Sequence, residues 1–169
     1  NKSVQKLFRI ADNIALTTAG LVGHAQALSR SLAAELALFE LKRGTQMSVK
    51  GAATLTANIL GGRPHWVQLL IAGVDDEGAH VYSIDSAGGS IPDVYCATGS
   101  GSPYMYGVLE DKFREGMNRD EAVEVVARAL LASAQRDAAS GNGMDLAVIT
   151  AKDGYVPVDQ KEISAILKK

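Results

Sequence analysis

Cysteine is nearly absent from this 169-residue chain: Cys96 stands alone, which excludes an internal disulfide framework and agrees with a reducing, cytoplasmic setting. Charge of one sign is missing too. Seventeen Lys and Arg against nineteen Asp and Glu leave a net charge of −2, and the basic residues are scattered, so nucleic acid is excluded as a partner. No apolar run approaches the ~20 residues needed to cross a bilayer. The longest candidate, residues 67–74, contains Gln68 and Gly73 and has the length of a strand, so no membrane partner is expected. No charged-then-apolar leader opens the chain, and no signal peptide is expected.

Cofactor and metal signals are lacking as well. His24, His65 and His80 have no metal-ligand spacing with one another or with Cys96, so surface or capping roles are expected and no metal site. Gly99-x-Gly101 follows a strand and precedes a helix, but Tyr104 stands where a dinucleotide fingerprint needs its third glycine, and no βαβ unit surrounds it. No cofactor is expected. Internal repeats, linkers and low-complexity segments are absent, and the length and a 47% hydrophobic content fit one globular domain over 1–169.

What is present reads as a sequence of regular elements. Residues 6–10 alternate and meet the turn signal Asp12-Asn13 before the apolar run 14–19, which predicts a β-hairpin. Val22, Ala25, Leu28, Leu32, Leu36 and Phe39 recur at helical spacing over 22–43, with Lys42 and Arg43 at the negative end of the helix dipole. A second helical stripe, Val49, Ala53, Thr56 and Leu60, is stopped by the glycines and proline of 61–64. Strands are predicted over 67–74, 80–84 and 94–98 as an antiparallel meander, with Cys96 a buried small hydrophobe in the last. Ser102 as N-cap and Pro103 at the first helical position predict a helix to about Gly116. Asn118 and Glu121 form a capping box for a helix with the stripe Val123, Val126, Leu130 and Ala134. Strands over 146–150 and 155–158 flank a turn at Asp153-Gly154, and Asp159 with Glu162 caps a last helix.

Paired helices separated by antiparallel strands are compatible with two stacked sheets under outer helical layers, or with helices on one face of a single sheet. The wording of several segments decides between them. ATGSGSPYMYGVLE (97–110), RDAASG (136–141), TTAGLVGHAQ (17–26) and VQLLIAGVD (67–75) resemble the β subunits of 20S proteasomes, most closely the archaeal kind, over essentially the whole chain. The resemblance implies an α+β fold of the N-terminal nucleophile hydrolase type, a four-layer αββα sandwich of two antiparallel sheets flanked by helices. It also implies a threonine endopeptidase whose nucleophile is an N-terminal threonine freed from a propeptide and followed by a short hairpin. On that alignment both precede Asn1, so the nucleophile lies outside residues 1–169.

The resemblance assigns roles to residues that each have an ordinary explanation. Lys6 takes the position of the lysine that favours the anionic hydroxyl and disfavours protonation of the threonine's α-amine; otherwise it is a solvated strand lysine, like its neighbour Lys2. The N–H of Gly20 would supply the oxyanion hole, a role compatible with that of a glycine at a tight strand-to-helix turn. Ser100, Asp137 and Ser140 would hold the threonine amine in place. Without that role they are a loop hydroxyl, an acid poorly placed in a helix's last turn, and part of a helix C-cap. Val4, Thr18 and Val22 would line an uncharged pocket for the side chain preceding the cut bond.

The implied partners are other β subunits in heptameric rings, flanking rings of proteasome α subunits, an ATP-driven unfoldase acting indirectly, and unfolded polypeptide as substrate. A catalytically silent structural β subunit of the same assembly is the alternative, and the set Lys6, Ser100, Asp137 and Ser140 argues against it. The bacterial two-ring relative lacks the GSGSPYMYGVLE wording, and α-type subunits lack the lysine at the Lys6 position.

Overall fold

The structure, a computed structural model, describes residues 7–20, 22–61, 67–85, 89–136 and 144–169. Their contacts gather into two compact units: one formed by the described residues between 7 and 98 together with 149–155, the other by those between 99 and 148 together with 156–169.

The larger unit holds β1 (Leu7–Ala11), β2 (Ile14–Gly20), α1 (Val22–Arg43), α2 (Val49–Gly61), β3 (Val67–Asp75), β4 (Gly78–Ile84) and β5 (Ser90–Asp93). The strands pair antiparallel in the order β1-β2-β3-β4-β5, so the predicted hairpin of β1 and β2 joins the meander that β3 and β4 begin in one sheet. Register places Leu16 opposite Ile71 and Thr18 opposite Leu69, while Leu69 meets Ile84 across the next pair. Because side chains alternate between faces, these positions line one face of the sheet. Both helices pack against it. Ala25, Leu28, Leu32 and Leu36 of α1 are buried, as are Val49, Ala53, Thr56 and Leu60 of α2. Leu16, Leu32, Leu69 and Ile71 are fully enclosed in the resulting core.

One strand differs from expectation. β5 ends at Asp93, and residues 94–98 form a bend and irregular chain. The Asp93 carboxylate accepts the N–H of Val94 at 2.8 Å, which takes that donor out of the ladder. Cys96 is accordingly half-buried and outside any strand. Pro92 sits in β5 opposite Tyr82, tolerated because an edge strand can spare an N–H.

The smaller unit holds α3 (Ser102–Lys112), α4 (Arg119–Arg136) and α5 (Gln160–Leu167), while β6 (Ala147–Thr150) and β7 (Gly154–Pro157) form a hairpin divided between the units. Gly101, not Ser102, is the N-cap of α3, and it caps without a side-chain hydrogen bond. The helix also stops at Lys112, short of Gly116, because Phe113 turns extended while its N–H still bonds the Leu109 carbonyl at 2.8 Å. The capping box of α4 forms as read: Asn118 Oδ1 accepts from the Glu121 N–H at 2.9 Å. Its stripe shifts. Val126 is 42% exposed, and the buried positions are Val123, Val125, Ala127, Ala129 and Ser133. α4 packs on both α3 and α5, so it buries two faces and a single stripe does not describe it. Asp159 caps α5 by accepting from the Lys161 N–H at 2.8 Å, while the Glu162 carboxylate is engaged by Arg119 of α4.

Candidate functional site

The strand-to-helix junction at the end of β2 carries three residues of the expected site. Gly20 is the last residue of β2, paired with Val67, and α1 begins at Val22. Such a junction leaves the first N–H groups of the helix without intrahelical acceptors, so donors gather where the strand stops. Thr18 lies two residues earlier, 8% exposed, on the sheet face that carries the helices. Thr18, Gly20 and Val22 are therefore brought together within one unit by the single β2-to-α1 passage, although only the backbone of Val22 is described.

Ser100 belongs to the other unit, exposed in the turn that leads into α3. The turn is shaped by Gly99, whose φ of +95° favours glycine, and closed by the Ser102 N–H on the Gly99 carbonyl at 3.2 Å. Lys6, Val4, Asp137 and Ser140 lie outside the described residues. Among the described residues, no group of His, Cys, Asp and Glu could hold a metal ion, and no helix is long and apolar enough to cross a membrane.

One cluster escaped the sequence reading. Asp75 marks only a turn in the sequence, yet its carboxylate accepts N–H groups from Val49 and Glu77, each at 2.9 Å, and lies 3.2 Å from His80 Nε2. The only sequence signal is the Asp-x-Glu-Gly turn, which carries no information about a helix 26 residues upstream.

The chain thus combines helices with antiparallel strands and carries a glycine where β2 passes into α1. The family profile described as Proteasome subunit matches residues 1–149. The chain is 48% identical over 172 residues to the proteasome subunit beta of Thermoplasma acidophilum, covering all of this chain and 81% of that protein. Identity to the proteasome subunit beta of Methanobrevibacter ruminantium is 46% over 169 residues, and to that of Ferroglobus placidus 47% over 173, covering all of this chain and 81% and 82% of those proteins. The chain belongs to the proteasome subunit family. Within it, the similarity is to the archaeal β subunits.

Proposed function

We propose that the protein is a threonine-type endopeptidase subunit of a 20S proteasome core, hydrolysing peptide bonds of unfolded polypeptides inside a closed chamber in the cytoplasm. The observation that carries this reading is the 48% identity to a proteasome β subunit across the whole chain. Gly20 at the end of β2, directly ahead of α1, supports it at the level of the site.

In this reading residues 1–169 are one β-type domain in a four-layer αββα sandwich, assembled in heptameric β rings between rings of α subunits and fed by an ATP-driven unfoldase. The nucleophile is the hydroxyl of the mature protein's N-terminal threonine. Its own α-amine, with a reference pKa near 8, stands at the right acidity to take the proton near neutral pH, directly or through a water. Lys6, immediately ahead of β1 in the chain, places a cation beside both groups, which favours the alkoxide and keeps the amine unprotonated. The Gly20 N–H meets the oxyanion as the tetrahedral intermediate forms, an interaction worth roughly 3–4 kcal/mol in comparable sites. Ser100, Asp137 and Ser140 orient the amine, and Val4, Thr18 and Val22 give the pocket an apolar preference.

The test is direct. N-terminal sequencing and intact mass of the purified mature protein should give threonine as residue one, light scattering should give a particle many times heavier than one chain, and short apolar peptides should be cleaved. A ring-sized particle with an N-terminal threonine and no cleavage would mean a silent structural subunit.

A further inference from the structure

The connection between α1 and α2 is pinned to one end of the five-stranded sheet by side chains from two different turns. α1 closes at Gly44, whose φ of +69° and N–H bond to the Glu40 carbonyl end the helix. From the β1–β2 turn, Asn13 donates through Nδ2 to the carbonyls of Val74 at 2.9 Å and Met47 at 3.4 Å. From the end of β3, Asp75 takes the Val49 N–H on Oδ2 and the Glu77 N–H on Oδ1.

The first turn of α2 is thus capped twice. Ser48 Oγ accepts the Gly51 N–H at 3.0 Å as a local cap, and Asp75 supplies a second acceptor from a strand. α2 has no acidic residue in its own first turn, so the Asp75 carboxylate also provides the negative charge that the positive end of the helix dipole favours. The Asp75 side chain is 13% exposed. His80, on β4, turns an enclosed Nε2 toward it that has no well-aligned hydrogen bond among the described residues; protonated, it is an ion-pair partner for Asp75.

We propose that Asp75 and His80 form an acid-released clasp, in which the ionised Asp75 carboxylate locks the first turn of α2 onto the β3–β4 hairpin. Burial alone would push the Asp75 carboxyl up, but the Val49 and Glu77 N–H groups and the His80 imidazole outweigh it and hold the carboxyl below its ordinary value of 3.8. A carboxyl depressed in the folded state stabilises it above the unfolded value and stops doing so as pH falls through the folded one. The clasp is therefore closed at neutral pH and opens only in acid, below about pH 4. Of the other titratable groups of the surrounding elements, Asp12 in the β1–β2 turn, Asp76 and Glu77 in the β3–β4 turn and Lys50 in α2 are exposed to solvent, and Tyr82 of β4 is half-buried. His80 is the one that meets the carboxylate within salt-bridge distance.

Hydrogen exchange followed by mass spectrometry on the full-length protein, expressed as protection factors over pH 3–8, tests the clasp. Peptides covering residues 44–52 should lose about five- to tenfold in protection as acid neutralises Asp75, before peptides from β2 and β3 respond. Asp75→Asn should show that loss already at pH 7 and no further change in acid. His80→Gln should move the release to higher pH, because a group that helps keep the carboxyl ionised is gone. Protection of 44–52 that falls only together with the whole sheet, or an Asp75→Asn protein indistinguishable from wild type at pH 7, would overturn the clasp. An unchanged release pH in His80→Gln would overturn the pairing with His80.

Discussion

Gly73 of β3 presses its backbone against Asn13: a Cβ built on Gly73 would stand 2.2 Å from the Asn13 carbonyl oxygen and 3.0 Å from the Ile14 side chain. That carbonyl is fixed, since it accepts the Val74 N–H at 3.0 Å and belongs to the turn that starts β2. Neither group can give way without breaking the pairing of β2 with β3. Gly73→Ala should therefore destabilise the fold by about 1–3 kcal/mol or more, as overpacking does in a tight interior. Gly107 makes the contrast, because nothing lies within 4 Å of its Cβ position and it sits exposed in α3. Gly107→Ala should raise stability by roughly 0.5–1 kcal/mol through helix propensity. Paired urea melts give both signs in one experiment.

The core of the larger unit should respond to volume. Leu32 of α1 is fully buried among the sheet residues, whereas Leu41, nine residues nearer the C-terminal end, is 83% exposed. Leu32→Ala should cost about 2–5 kcal/mol, the range for a leucine removed from a packed core. Leu41→Ala should stay within about 0.5 kcal/mol of wild type in the same denaturation experiment.

In the smaller unit, Arg119 of α4 meets Glu162 of α5 with two guanidinium nitrogens and Asp120 with one. The Arg119 hydrogen bonds, set against a small opposing effect of burial, hold the Glu162 carboxyl below its ordinary value. Its contribution is then present above the unfolded carboxyl value and lost as pH falls through the folded one. Glu162→Gln should lower the melting temperature slightly at pH 7 in low salt. Both groups are solvent-exposed, so 1 M salt should erase the difference. Melting at about pH 3 should erase it too. A penalty unchanged by salt and acid would mean that Glu162 acts by packing.

The catalytic assignment is testable at Lys6 in the complete mature protein. Lys6→Ala should lower peptide turnover on the order of 10²–10⁴-fold with assembly intact, the scale of losing a group that manages the proton transfer, whereas Lys2→Ala should be nearly silent. Lys6→Arg keeps the charge but replaces a compact ammonium with a planar fork, and activity should still fall severely. Ser100→Ala, which removes one hydroxyl and no charge, should cost less than Lys6→Ala. Near-normal cleavage by Lys6→Ala would return Lys6 to the status of an ordinary strand lysine.

Much of the fold is legible residue by residue. The spacing of Ala25, Leu28, Leu32 and Leu36 marks the buried side of α1 because 3.6 residues make a turn, and the Asn118–Glu121 box marks the start of α4 because both cap bonds are local. The exceptions have physical causes. Val94 was drawn out of a strand by the carboxylate of the preceding residue, and Val126 was exposed by a helix that packs on two neighbours. In the candidate site, Gly20 at a strand-to-helix passage could be read locally. The roles of Lys6, Asp137 and Ser140 depended on resemblance, since isolated polar residues carry no periodic signal.

The sequence by itself determined the order of helices and strands, the hairpins and the family, because periodicity, turn chemistry and local wording reside in neighbouring residues. Only the tertiary structure decided that Asp75 caps a helix 26 residues upstream in the chain, that Gly73 must be glycine because of Asn13, and that Arg119 reaches Glu162. Each of these joins residues far apart in sequence, and a contact of that kind acquires its energy only when the sheet register and helix packing bring the partners within a few ångströms.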